Sequence, residues 1–209
     1  MIFILVSDGA SDQALIPAIT WLLTEHGAPG GVDGQWADFR LMLHPPVGLK
    51  EKILKGIELY PCDLLFVHRD AENTPRALRK QEIEEIVHEL ETEGSMQAPA
   101  ICVIPVRMTE AWLLIEEAAI RRAAGNPNGR IPLRLPRISR LESTPDPKRV
   151  LFDALGTASE HTGRRLAKLH FPTLRYRVAE LISDHSQLRN LSAFTALETE
   201  VEDVILTLH

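Results

Sequence analysis

Ile2-Phe3-Ile4-Leu5-Val6 runs straight into Ser7-Asp8-Gly9-Ala10-Ser11-Asp12, five apolar residues and then a turn carrying two acids. A short, unbroken apolar run of this kind is the pattern of a strand buried on both faces, as in a parallel sheet. The arrangement returns twice. Leu64-Leu65-Phe66-Val67 ends in His68-Arg69-Asp70-Ala71-Glu72, and Ala100-Ile101-Cys102-Val103-Ile104-Pro105-Val106 is followed by Thr109-Glu110-Ala111-Trp112. Ligands of open α/β sheets bind beyond the carboxyl ends of such strands. Carboxylates gathered there repel one another unless a cation neutralises them. The expectation is a divalent metal, magnesium or manganese, held by Asp8, Asp70 and Glu72. Asp8, Asp70, Glu72 and Glu110 are the candidate catalytic groups.

Helical patterns fill the spaces between the runs. A helix is expected from Asp12, as its cap, to about Gly27. Residues 28–38, with Pro29 and three glycines, read as a loop, and Phe39 to His44 as a strand. Lys50 to Leu59, Pro75 to Glu93 and Thr109 to Ala124 read as helices. Strands alternating with helices imply an α/β fold, a mainly parallel sheet flanked by helices and joined by right-handed connections. From Gly125 to Pro147 the texture changes, because Pro127, Pro132, Pro136, Pro145 and Pro147 all fall there. Helical patterns then return at Arg149–Leu155, Arg164–Leu169, Arg175–Ser183 and Leu191–Leu208. The expected division is an α/β core over 1–124, a basic, proline-rich insertion over 125–147 and a C-terminal helical extension over 148–209.

Composition narrows the function classes. The net charge of -6 over 209 residues gives no global signature of nucleic-acid binding. Yet Arg121 to Arg149 holds eight basic residues against two acidic ones, a local balance of +6 that leaves -12 for the remainder. A basic loop on an acidic body can contact phosphates. Arg134, Arg137, Arg140 and Lys148 are the candidates, with a solvated, self-paired loop or a partner interface as the plain alternatives. Cys62 and Cys102 are too few for a disulfide framework or a structural zinc site and read as buried thiols. No run has transmembrane length and no signal-peptide layout is present, so the expected setting is cytoplasmic, without membrane association.

Val6-Ser7-Asp8-Gly9-Ala10-Ser11-Asp12, with Asp70-Ala71-Glu72 after the second run, resembles the two acidic motifs of the TOPRIM fold. That fold occurs in topoisomerases, bacterial primases, recombination proteins and the overcoming-lysogenization-defect (OLD) nucleases. Thr109-Glu110-Ala111-Trp112-Leu113-Leu114, Asp146-Pro147-Lys148 and Leu188-Arg189-Asn190-Leu191-Ser192-Ala193-Phe194 are similar to bacterial TOPRIM-like proteins related to the RloB family. This second resemblance covers most of the chain. It implies a magnesium-dependent nuclease, encoded beside an ATPase of the AAA or ABC type in settings that suggest phage defence. Two positions depart from the pattern. TOPRIM enzymes carry glutamate where this chain has Asp8, and aspartate where it has Glu72. Both departures keep the charge and shift the carboxylate oxygens.

Each residue also has a plainer reading. Asp8 fits a turn, Asp12 a helix cap and Glu110 a favourable charge on a helix start. Glu72 can simply precede the turn at Asn73-Thr74-Pro75. His68 is either a packed strand-end histidine or a proton or phosphate contact. Neither Tyr60 nor Tyr176 lies in a recognisable nucleophile motif, so hydrolysis fits better than strand passage. No G-x-x-x-x-G-K-[ST] pattern occurs, so ATP dependence would require a partner. The leading expectation is a nuclease or related phosphoryl-transfer enzyme acting on DNA or RNA. The alternatives are a noncatalytic regulatory or effector subunit that binds an AAA- or ABC-type ATPase, and a phosphate-ester hydrolase on a similar sheet.

Overall fold

The computed structural model describes residues 1–71 and 74–208. By its contacts the chain divides into two compact units, one made of Met1–Val106 with Ala196–His209, the other of Arg107–Thr195. The boundary thus falls just after the third apolar run, short of Ala124, and the end of the chain returns to the first unit.

The first unit is an α/β structure. Among the described residues its sheet has four strands, β1 (Ile2–Val6), β2 (Asp33–Trp36), β3 (Leu64–His68) and β4 (Ala100–Val103). They lie in the order β2-β1-β3-β4, all parallel. Helix α1 (Ile16–Glu25) connects β1 to β2, α2 (Leu49–Leu59) connects β2 to β3, and α3 (Arg76–Thr92) connects β3 to β4. The chain moves one way from β1 to β2 and the other way from β2 onward. Right-handed crossovers then place α1 on one face and α2 with α3 on the other. The packing agrees. Ile4, Val6, Leu65 and Val67 share a buried cluster with Ile53 of α2 and with Ile83 and Leu90 of α3. Alternate residues point to the opposite face, where the Phe3 and Phe66 rings meet edge to face at 5.2 Å.

Two glycines are fixed by close approach. A Cβ on Gly34 would stand 2.2 Å from the Phe3 ring, and one on Gly56 would stand 2.9 Å from Val6 Cγ2. The first lets β2 lie beside β1 under the Phe3 ring, and the second lets α2 settle on β1. The expected strand at Phe39–His44 is not one. The strand lies earlier, at Asp33–Trp36, inside the stretch read as a loop. Leu41 and Leu43 are 97% and 90% exposed, so that apolar stretch is not a buried strand. At the other edge, Glu200 on α8 (Ser192–Leu208) accepts a hydrogen bond from the Cys102 N–H at 3.2 Å. Lys80 and Arg76 hold the same carboxylate at 2.8 and 3.2 Å. A charged side chain thus occupies an edge amide that would otherwise invite another strand.

The second unit is helical. A 3-10 turn at Thr109–Leu113 is followed by α4 (Glu117–Ala123), irregular chain, α5 (Pro147–Ser159), the single turn α6 (Gly163–Leu166), α7 (Phe171–Leu181) and the first residues of α8. The single helix expected over Thr109–Ala124 is broken because Ala111 through Ile115 are all buried, which one face of a continuous helix cannot achieve. Asp146 and Pro147 start α5 for local reasons. The Asp146 carboxylate accepts the Arg149 N–H at 2.9 Å, and proline occupies the first helical position, where no donor is needed. Within this unit α4 packs on α5 and α7, and the Trp112 ring meets Phe194 at 5.2 Å.

Candidate active site at the carboxyl ends of the central strands

The strand order reverses its direction of travel between β1 and β3, and ligands of open parallel sheets sit at such a switch point. Asp8 follows β1 there and Asp70 follows β3. Both line one cavity of about 330 Å³, together with Gly9, Ser11, Asp12, His68, Arg69 and Arg79. A larger hollow of about 580 Å³ lies elsewhere, around Leu54, Ile57, Cys62 and Met96. Its thiol is pushed away from reactivity by burial, and no charge constellation accompanies it.

The turn after β1 is held from within. The Gly9 N–H donates to Asp12 Oδ2 at 3.0 Å and the Ser11 hydroxyl to Asp12 Oδ1 at 3.1 Å. Asp12 is 5% exposed and lies inside the 3-10 turn Ala10–Leu15, three residues after the cap position. Its carboxylate bonds back to the Gly9 amide that opens the turn, so Asp12 closes the turn from its third position and is not the cap of the helix, whose cap position is Leu15. Asp8 is turned outward. Its carboxylate receives Lys52 Nζ of α2 at 2.9 Å and stands 3.4 Å from Arg69 Nε. Arg69 and Arg79 in turn each donate to Glu82 at 3.0 Å, which fixes two guanidinium groups on the cavity wall.

His68 is the buried centre. It is 2% exposed, with Nδ1 3.4 Å from Asp12 Oδ2 and Nε2 3.3 Å from Asp70 Oδ1. Burial acts against a charge there. The hydrogen bonding and charge of the two aspartates outweigh burial and raise the His68 pKa to about 9. The Asp12 carboxyl is likewise opposed by burial, yet His68, Gly9 and Ser11 bring it below the ordinary value. At neutral pH the cavity therefore carries Asp8, Asp12 and Asp70 against Arg69, Arg79 and a protonated His68. The neutralisation that the sequence reading assigned to a metal is supplied in part by the chain itself.

Asp8 and Asp70 nonetheless suit a hard divalent cation. Both are oxygen donors on the same cavity, and Asp70 Oδ1 has His68 Nε2 as its neighbour at 3.3 Å. Glu72, the third expected ligand, lies outside the described residues. Among the described residues, the group of three or more ligating side chains with all ligand atoms within 4.8 Å of one another is His26, Glu198 and Glu202. There each imidazole nitrogen faces its own carboxylate, at 2.9 and 3.5 Å, as in an ion-paired bridge.

The remaining expected residues belong to the second unit. Glu110 is 3% exposed and its Oε1 accepts Arg175 Nη1 at 2.7 Å, a buried ion pair. Arg134, Arg137, Arg140 and Lys148 are all exposed, and among the described residues none of them has an acidic partner. Arg121, Arg122 and Arg149 of the same basic stretch are paired with Glu117, Glu116 and Asp153. Sequence reasoning missed Lys52, Arg79 and Trp36. The two cations look like any others on a helix, and Trp36 fell in a stretch read as a loop. Among the described residues no helix is long and apolar enough to cross a membrane. No protein-family model, no curated protein and no solved structure matches the chain, so the geometry of this cavity is what bears on its chemistry.

Proposed function

We propose that the chain is a metal-dependent nuclease, or a related phosphoryl-transfer enzyme, acting on nucleic acid. The observation that supports this reading is the shared cavity at the switch point, where Asp8 and Asp70 face Arg69 and Arg79. Asp8 and Asp70, with Glu72, would hold magnesium or manganese, which supplies charge stabilisation at the phosphoryl oxygens and an acidified water. Lys52 and Arg69 already engage Asp8, so a cation competes with them, consistent with millimolar affinity. Arg69 and Arg79, oriented by Glu82, present forked donors suited to a phosphate. His68 is protonated at neutral pH and serves as a positioning residue that holds Asp70 and Asp12, not as a base. Among the described residues no tyrosine lines the cavity, which fits attack by water or a hydroxyl without a covalent tyrosyl intermediate. The exposed basic residues Arg134, Arg137, Arg140 and Lys148 add phosphate contacts.

The test is cleavage of plasmid and of single-stranded DNA and RNA with magnesium or manganese, comparing the wild type with Asp70→Asn. Metal-dependent cleavage lost in a folded Asp70→Asn protein is the expected result. Cleavage that survives the substitution removes Asp70 from the site. The cytoplasmic setting and the place in phage defence belong to the same proposal. A second reading, a noncatalytic subunit docking on an AAA- or ABC-type ATPase, is favoured by Leu41, Leu43 and Val47, which are 97%, 90% and 80% exposed. Tight ATPase binding that Leu41→Ser with Leu43→Ser abolishes and Asp70→Asn leaves intact, without any cleavage, would establish it.

A further inference from the structure

Asp8 and Gly9 line a second hollow besides the cavity that contains Asp70. Its other walls include Ser7, Trp36, Arg40, Pro45, Pro46 and Lys52, and its volume is about 240 Å³. It lies on the β2 side of β1, whereas Asp70 lies on the β3 side. Trp36 closes β2 in register with Leu5, so its ring stands at the same sheet end as Asp8. The indole N–H donates to the Ser7 hydroxyl at 2.9 Å, and Ser7 is the residue before Asp8. The polar edge of the ring is thereby tied to the turn that carries the candidate catalytic acid, and the ring cannot swing freely.

A plain packing role does not account for this ring. Trp36 is only half-buried, and among the described residues no aromatic side chain stacks on it. What covers it is a planar cation. The Arg40 guanidinium sits 5.0 Å from the ring centroid and is itself held by Asp38 at 2.6 and 2.8 Å. A tryptophan face beneath a guanidinium plane is a stacking platform, because both offer flat surfaces to a third flat group. Pro45, Pro46 and Phe39 add apolar walls, and Lys52 supplies a cation at the rim toward Asp8. Flat apolar walls beside a cation suit a heterocyclic base with its phosphate.

We infer that this hollow is a base-stacking subsite, in which Trp36 takes the base that flanks the phosphate held by Arg69 and Arg79 beside Asp8. The inference rests on the phosphoryl-transfer reading and gives it a substrate class, single-stranded nucleic acid. A base inside a duplex has both faces covered by its neighbours and cannot lie on Trp36 without leaving the stack.

The probe is a fluorescein-labelled twelve-nucleotide oligodeoxythymidylate, compared with a blunt duplex of equal length. Binding is followed by anisotropy in EDTA, with the whole chain, so that no cleavage is needed. Wild type is expected to prefer the single strand. Trp36→Ala is expected to weaken single-strand binding about tenfold and to leave duplex binding unchanged. Trp36→Phe keeps a π face and most of the affinity. Trp36→Leu keeps an apolar wall without that face, and it decides the matter if the alanine variant fails to fold. Equal single-strand affinity in wild type and Trp36→Leu overturns the inference, as does a wild type with no single-strand binding. Trp36-dependent binding without cleavage under any metal removes the nuclease chemistry and leaves the subsite standing. Cleavage that Trp36→Leu does not affect, with no preference for single strands, does the reverse.

Discussion

Replacing His68 by glutamine should remove a pH dependence of stability that the wild type shows between neutral and alkaline pH. The histidine lies between Asp12 and Asp70, and its pKa rises from 6.5 to about 9 on folding. A group whose pKa is raised in the folded state stabilises fully below its unfolded pKa and loses that contribution as the pH climbs through the folded one. Two and a half units at about 1.4 kcal/mol each give on the order of 3 kcal/mol, lost between about pH 6.5 and 9.5. His68 is almost wholly buried, so solvent screening does not reduce this figure. The assay is urea unfolding at a series of pH values in EDTA, for wild type and His68→Gln. Burial raises the Cys102 thiol to about 12 and Cys62 upward as well, so both proteins weaken together near the alkaline end. The difference between them isolates the imidazolium. It should shrink by about 3 kcal/mol across that window, and stability curves that stay parallel would refute the reasoning.

The buried pair of Glu110 and Arg175 makes a separate claim. Glu110→Gln should cost about 3–5 kcal/mol in calorimetric unfolding, and a methionine at both positions should recover most of it; an unchanged unfolding temperature for the single variant would deny the pair its structural role. Gly34→Ala drives a methyl group into the Phe3 ring and should cost roughly 1–3 kcal/mol, read from denaturant midpoints; a neutral result would mean that β2 can move away from β1 without penalty. Converting Arg134, Arg137 and Arg140 to alanine together should spare folding, since none is ion-paired among the described residues. It should also flatten the salt dependence of nucleic-acid binding by about two to three in the logarithmic slope, and an unchanged slope would place those arginines outside the contact.

The three strands buried on both faces were legible because a parallel sheet covered by helices demands unbroken apolar runs. The edge strand was not. Asp33-Gly34-Gln35-Trp36 alternates exposed and half-buried residues and carries a glycine required by a ring thirty-one positions earlier, so a local window reads it as a loop. Conversely, Phe39 to Leu43 has the composition of a strand but finds no partner, and its leucines face solvent. At the site, the position of Asp8 and Asp70 followed from where the strands stop. The cations that meet them did not. Lys52 stands among Lys50 and Lys55 on one amphipathic helix, and nothing local marks it as the one that reaches Asp8. Glu110 was read from its place after a strand, while the arginine that engages it lies 65 residues on, beyond any motif.

The first unit is assembled from two pieces of chain, Met1–Val106 and the segment from Ala196 onward. This has a consequence for the order of events on the ribosome. Strands β1 to β4 are all synthesised before Glu200 of α8, and the whole of Arg107–Thr195 must be translated in between. At about 5–20 residues per second that interval is on the order of ten seconds. Throughout it, the amide of Cys102 lacks the Glu200 carboxylate, and Lys80 and Arg76 lack the acid they share. An open parallel edge with hydrophobic neighbours is a template for pairing with another nascent chain. Early translation arrest or loss of the last helix should therefore yield a protein that associates through β4, and slow codons between positions 107 and 195 should lengthen its exposure.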